Sequence, residues 1–498
     1  MPFRRPALAA LAACALSAAA APAVLAAPRL HWSSCGRAAQ VRCTRIAVPA
    51  DYDAPHGTRY SLFVARSPAT DMAKRIGSLF INFGGPGGTT ADAFEADGAK
   101  LFPRLNRRFD IVAMDPRGVG QSRPAIDCRA DQETQGIYDQ PFTRPASLDV
   151  AALLARAHAY VDRCVQRNGD VLRHVSTANV ARDIDRLRRA LGERRITYLG
   201  YSYGTLLGAT YARLFPRRYR AMVLDGPVDA DAYINRPQRA LAAQTTGFED
   251  SLRRFLSAGG RTMGGVDRLL RRLDAHPERL RGGHTLDGDD ARAGISIALY
   301  DRGDWPTLAY ALSAARSGSP RVMRALADIF YGRRRDGTYD PAGDRYFAIG
   351  AAEQRYPAAL GPYLREGRRS FARHPHFWFN NGYSELSYRG YPARDADAYA
   401  GPWRLPRAAP RPLVVATTHD PATPYGGARR LTRELHRARL LTMRGDGHTA
   451  YPGNSRCVDR AVERYLTRRA LPRPGTTCRQ AVPATATAVP RLPERPLR

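Results

Sequence analysis

Lysine is nearly absent: of 77 basic residues only Lys74 and Lys100 are lysines, and the arginines that make up the rest are scattered over the whole length. A formal charge of +31 would suit a binder of nucleic acid or of a membrane surface, but such binders gather their cations on one face or along one helix. The scatter points to a compositional preference for arginine and argues against nucleic acid as a partner. Cysteine is sparse too, and none of the seven stands in a C-x-x-C pair, the spacing a structural zinc site uses. There is no internal repeat of the kind that builds solenoids or propellers. The one glycine-rich loop, at 82–88, lacks both the Lys-Ser/Thr ending of a phosphate loop and G-x-G-x-x-G spacing, so no nucleotide is implied, and no metal or organic cofactor is expected.

The first 26 residues read as an export signal: Met1 to Arg5 carry positive charge, 7–21 are rich in Ala and Leu, and Val24-Leu25-Ala26 suits cleavage. Leu11-Ala12-Ala13-Cys14 resembles a lipid-attachment box, but the apolar stretch runs on past Cys14 instead of ending there. Once the signal is removed no integral membrane segment is expected, and the mature chain is expected outside the cytoplasm. Cys35, Cys43, Cys128, Cys164, Cys457 and Cys478 remain, an even number in an oxidising compartment. Proximity along the chain favours Cys35 with Cys43, Cys128 with Cys164, and Cys457 with Cys478.

At 498 residues the chain exceeds one compact core. Short apolar runs at 78–82, 110–115, 196–200 and 221–225 each end in turn residues, as buried parallel strands do. Val180, Ile184, Leu187 and Leu191 recur at helical spacing and predict an amphipathic helix over 178–191. After Asp225 the pattern turns helical and aromatic, and strands resume at 412–417 and 439–443. The expected architecture is α/β, with a mostly parallel central sheet and an inserted, mainly helical lid. The catalytic body spans 28–230 and 406–478, the lid 231–405, and a Pro/Ala/Arg-rich disordered tail 479–498.

Gly200-Tyr201-Ser202-Tyr203-Gly204 stands between the strand at 196–200 and an apolar helix beginning at Thr205. That context makes it a nucleophile elbow, in which the serine sits on a strained turn and the glycines leave room for strand and helix. Asn82-Phe83-Gly84-Gly85-Pro86-Gly87-Gly88 follows an earlier strand, where a second oxyanion donor is needed. Pro86 has no N–H, so Gly85 is the candidate, paired with the amide of Tyr203. Asp420 and His448 each lie just beyond a strand and complete the order Ser, Asp, His, with His448 as base and Asp420 as its orienting acid. Asp225 and Asp446 remain alternative acids. Arg117, in Asp115-Pro116-Arg117-Gly118, is expected to brace loops beneath the site.

With these segments the chain resembles the secreted tripeptidyl aminopeptidases of actinobacteria and, more distantly, the prolyl aminopeptidases. The resemblance runs from Trp32-Ser33-Ser34-Cys35 and Val48-Pro49-Ala50-Asp51-Tyr52, through the motifs above, to Gly447-His448-Thr449 with Cys457 and Cys478. It implies Ser202, Asp420 and His448 as a triad, a helical lid, and release of short peptides from a free amino terminus. Lids in that family carry cysteines of their own. Here Phe255-Leu256-Ser257-Ala258-Gly259 and Ala348-Ile349-Gly350-Ala351-Ala352-Glu353 stand in their place. An aminopeptidase must also bind an ammonium group in its cleft, which calls for sheltered carboxylates. Glu249, Glu353 and Glu385 are the candidates. Phe377, Trp378 and Phe379 would either line an apolar pocket or fill a core. The rival functions are a carboxylesterase using the same triad and a non-catalytic binding protein on a hydrolase scaffold.

Overall fold

The computed structural model describes residues 30–36, 40–136, 145–280, 285–378 and 382–481. The segment expected to be an export signal, with Cys14, then Phe379 and residues 482–498 lie outside them; the tail expected to be disordered from 479 is corrected at its start, since Arg479 ends a strand and Gln480 is hydrogen-bonded to the Asp446 backbone. In chain order the strands are β1 (Ser33–Ser34), β2 (Arg42–Pro49), β3 (Arg59–Ser67), β4 (Gly77–Asn82), β5 (Phe109–Met114), β6 (Ile196–Tyr201), β7 (Tyr219–Asp225), β8 (Glu278–Arg279), β9 (Thr285–Leu286), β10 (Leu413–His419), β11 (Arg439–Asp446) and β12 (Thr477–Arg479). Ten of them form one sheet in the order β1-β2-β3-β5-β4-β6-β7-β10-β11-β12, and β8 and β9 pair as a separate hairpin. From β5 through β12 every neighbouring pair is parallel, while β1, β2 and β3 join the edge antiparallel.

Each central strand buries both faces, because successive side chains point to opposite sides of a strand. Phe80, Val112, Tyr198, Met222, Leu224 and Val414 enter one core. Their neighbours Leu79, Ile81, Ile111, Leu199, Val223 and Val415 enter the other. Continuous apolar runs without alternation made these strands legible. β2 and β3 were missed, although Thr44, Ile46 and Val48 are buried at period two. The helix expected at 178–191 is Thr177–Ala190, with Val180, Ile184 and Leu187 inward. Three disulfides join Cys35 to Cys43, Cys128 to Cys164, and Cys457 to Cys478. Bonds of this kind persist in oxidising compartments. No helix among the described residues is long and apolar enough to cross a membrane.

The chain between β7 and β10 divides its allegiance. The helices Pro237–Ala258, Met263–Ala275, Gly288–Leu299, Trp305–Arg316 and Arg321–Tyr331 enclose their own core around Leu252, Leu269, Leu273, Leu299, Trp305 and Met323. The helix Ala342–Glu353 instead sends Phe347 and Ile349 into the core of the sheet, together with Tyr388 and Trp403. The segment expected to be a lid throughout 231–405 therefore packs partly around a core of its own and partly into that of the sheet. Phe377 and Trp378 are fully packed in cores, which settles their two possible fates in favour of packing.

Candidate active site

Parallel strands bring their carboxyl ends to one rim, and loops beyond that rim are where such sheets place their chemistry. Ser202 immediately follows β6 and begins the helix Tyr203–Leu214. Its backbone sits at φ 53° and ψ −124°, a region a non-glycine residue occupies only at a cost of about 1–3 kcal/mol. The turn is held by the Ser202 amide, which donates to the Asp225 carbonyl at 3.0 Å, and by the Thr205 amide, which donates to the Ser202 carbonyl at 2.9 Å. A methyl group at Gly204 would lie 2.6 Å from Asn82 Oδ1 and 2.8 Å from the Asn82 carbonyl oxygen, so only glycine fits.

The loop after β4 presses on the same turn. Gly84, at φ 104°, has no room for a side chain: a Cβ there would meet the Tyr201 carbonyl oxygen at 2.8 Å, Ser202 Cβ at 2.9 Å and the Tyr203 amide at 3.4 Å. Gly85 and Tyr203, the two expected oxyanion donors, line together with Ser202 one cavity of about 420 Å³. Its opposite walls come from the inserted segment and include Phe248, Tyr300 and Glu385.

His448 follows β11, and β11 lies three places from β6 in the sheet. At about 4.8 Å per strand the loop that carries His448 starts about 14 Å from the strand that carries Ser202. Asp225 draws it back. Its buried carboxylate, at the end of β7, accepts from the amides of Ala450 at 3.1 Å and Tyr451 at 2.8 Å. The imidazole consequently rests on Gly226, where a Cβ would meet His448 Cε1 at 3.1 Å. Asp225 therefore tethers the loop that carries His448. Burial pushes its carboxyl up to about 7, against the two amides that favour the anion.

The carboxylate that faces the His448 ring is that of Asp420. His448 Nδ1 lies 2.9 Å from each Asp420 oxygen. The carboxylate also accepts from the Ala422 amide at 2.9 Å, the Thr423 amide at 2.8 Å and the Thr423 hydroxyl at 2.9 Å. Such a cradle holds the carboxylate in place against the ring, and its contact with Nδ1 fixes which ring nitrogen carries the proton. For His448 burial resists protonation, but attraction to Asp420, its hydrogen bond and the Asp225 charge outweigh burial and raise the pKa. Nε2 is buried without a hydrogen-bond partner, so the bond to the Ser202 hydroxyl is not formed in this conformation. Long or open contacts of this kind are common before substrate binds. Asp446, the other alternative acid, faces Arg254 and Arg302 and makes no bond to the imidazole.

The three carboxylates expected to meet an ammonium group separate. Glu385 lines the cavity; Glu249 and Glu353 do not. Glu249 is buried against His376 Nδ1 at 2.7 Å, and Glu353 accepts from the Thr177 amide at 2.8 Å and hydroxyl at 2.9 Å. Thr177 Oγ1 in turn lies 2.6 Å from the Tyr203 hydroxyl, so Glu353 braces the wall behind the oxyanion residue. Arg117 is wholly buried, bidentate on Asp183 at 2.8 and 2.7 Å and bonded to the carbonyls of Pro49, Ala50 and His174. It braces loops and does not reach the cavity. Among the described residues the one cluster spaced for a metal is Cys35, Cys43 and Glu95, and its two sulfurs are bonded to each other.

A family model for the alpha/beta hydrolase fold matches residues 78–454. The chain belongs to that family, and within it the chain is a serine hydrolase. It is 35% identical over 462 residues to the serine protease Hip1 of Mycobacterium tuberculosis, spanning 88% of this chain and 87% of that one. It is 32% identical over 484 residues to carboxylesterase B of the same species, spanning 91% and 90%. It is also 29% identical over 470 residues to a tripeptidyl aminopeptidase of Streptomyces lividans, spanning 91% and 87%.

Proposed function

We propose that the chain is an extracytoplasmic serine exopeptidase that releases short peptides from a free amino terminus. His448 takes the proton from Ser202 as Oγ attacks the scissile carbonyl, and Asp420 holds the ring and stabilises the imidazolium. The amides of Gly85 and Tyr203 receive the developing oxyanion. His448 then protonates the leaving amine, and water resolves the acyl-enzyme by the same path in reverse. The observation that carries this reading is the pair of 2.9 Å contacts between Asp420 and Nδ1, which leave Nε2 as the free base of a ring lying over Gly226.

Residues 231–405 supply the selective wall. Glu385 is the fitting partner for a substrate ammonium group: it lines the cavity, and burial pushes its carboxyl up to about 8. It is neutral until a cation arrives, so binding an amine expels its proton. The relationship to carboxylesterase B supports a second reading, ester hydrolysis by the same triad. Turnover of a tripeptide amide, its N-acetylated form and a short-chain ester distinguishes the two. The exopeptidase reading expects N-acetylation to lower kcat/KM at least tenfold, and indifference to it refutes an aminopeptidase. Ser202→Ala should keep the thermal transition and lose fluorophosphonate labelling.

A further inference from the structure

The base loop is gripped from outside the sheet. Asp446, two residues before His448, has a buried carboxylate that receives Arg254 Nε on one oxygen and Arg302 Nη1 at 2.9 Å on the other. Arg254 comes from the helix Pro237–Ala258 and Arg302 from the turn after Gly288–Leu299, so both cations belong to the inserted segment. The His448 amide donates to the Tyr300 carbonyl at 2.7 Å. The Tyr300 ring meets the imidazole edge to face, with centroids 5.5 Å apart and planes at 85°. Between them Gly447 passes so close that a Cβ would lie 3.0 Å from the Tyr300 oxygen and 3.3 Å from the Arg302 amide.

A third element closes the junction. Gln480, two residues beyond Cys478, exchanges hydrogen bonds with the Asp446 backbone: its Oε1 accepts from the amide at 2.9 Å, and its Nε2 donates to the carbonyl at 2.9 Å. The same Oε1 accepts from Arg302 Nη1 at 3.1 Å. The segment carrying Gln480 is itself fastened by the Cys457–Cys478 disulfide. The loop that carries the base is thus fixed on three sides: by Asp225 from the sheet, by Gln480 from the carboxyl-terminal strand, and by Arg254, Tyr300 and Arg302 from the inserted segment.

We propose that Arg254, Arg302 and the Tyr300 backbone are positioning groups for His448, so that acyl transfer requires this end of the inserted segment to remain docked on β11. The proposal rests on His448 being the base. Substrate entry then cannot use a hinge that lifts the whole cover; any opening must occur elsewhere around the cavity. The coupling is steep because misplacing a reacting group by about 1 Å can cost about a hundredfold in rate.

The test compares Arg302→Met and the double variant Arg254→Met/Arg302→Met with the unaltered protein. The readouts are kcat and KM on a tripeptide amide, the rate of fluorophosphonate labelling, and the thermal transition. The double variant is expected to lose about ten- to a hundredfold in kcat and in labelling rate with KM changed less than threefold. Arg302→Lys, which keeps a cation on Asp446, should recover most of the loss. Gln480→Leu loosens the same loop from the molecule's edge without touching the inserted core, and should slow labelling severalfold even if the double variant fails to fold. Labelling within twofold of the unaltered rate in a folded double variant overturns the proposal, and where the double variant fails to fold the same result for Gln480→Leu overturns it. His448→Ala labelling at full rate would instead overturn the assignment of the base.

Discussion

The sheet and the segment inserted between β7 and β10 make their contributions to the site by different rules. Ser202, Gly85, Asp225, Asp420 and His448 each stand within three residues of the end of a parallel strand, so one local arrangement, repeated, delivers all the groups proposed to react or to hold them to the same rim. Glu385, Tyr300, Arg254 and Arg302 follow no such rule. They arrive on a 3-10 turn, at a helix end and on one helix face, and only the way the helices pack decides which of them meets the cavity or the base loop. Groups placed by the sheet should therefore govern whether chemistry occurs, and groups placed by the inserted segment should govern which substrate is accepted and how firmly the base is held.

The sharpest way to break that contrast is Asp420→Asn, which preserves shape but favours the wrong imidazole tautomer. It should lower kcat by about a thousand- to ten-thousandfold with little change in the thermal transition; a loss below tenfold would move the orienting role elsewhere. A smaller effect is expected in the pH profile. Since the His448 pKa is raised above 6.5, and the base must be neutral, kcat/KM should fall with acid along a limb centred above 6.5. The stabilising contribution of the ion pair runs the other way, present at low pH and lost as pH rises through the raised value. A limb centred below 6.5 contradicts the assigned environment.

The smallest effect belongs to the inserted segment. The Glu385 carboxyl is raised from 4.5 to about 8 by burial. Below the unfolded value it is protonated in both states. Between the two values the unfolded chain ionises and the folded chain does not, so stability falls as pH rises through that window. Glu385→Gln removes this penalty while its amide oxygen still accepts from Gly382. It should gain on the order of 4 kcal/mol at pH 8 and under about 1 kcal/mol at pH 5, read from urea midpoints. In the same variant KM for free-amine substrates should rise. A gain equal at both pH values would mean that the carboxyl is not held neutral.

Legibility in the sequence followed the same divide. The elbow at 200–204 and the loop at 82–88 could be recognised because steric exclusion by nearby backbone demands glycine at fixed offsets, as at Gly204 against Asn82. The acid was harder. Asp225, Asp420 and Asp446 all end strands, and nothing local distinguishes them; the structure gives each a different partner, respectively the Ala450 and Tyr451 amides, the imidazole, and two arginines. Among the glutamates of the inserted segment the sequence offered three equal candidates; of these only Glu385 lines the cavity, while Glu249 lies against His376 and Glu353 against Thr177. A signal for Arg302 was absent altogether, since an arginine that grips a loop looks no different from the many that are solvated.

The sequence by itself determined the fold class, the strand–turn–helix that carries Ser202, the chain order of the three reacting side chains and the pairing of neighbouring cysteines, because these depend on residue type at short range and on rules that parallel sheets repeat. Tertiary structure decided which carboxylate faces the imidazole, how Asp225 at the end of a neighbouring strand ties down the loop that carries His448, and which acid of the inserted segment reaches the cavity. Those outcomes depend on competition among distant partners for the same buried polar groups, and a buried carboxylate takes whichever donors the packing brings within about 3 Å.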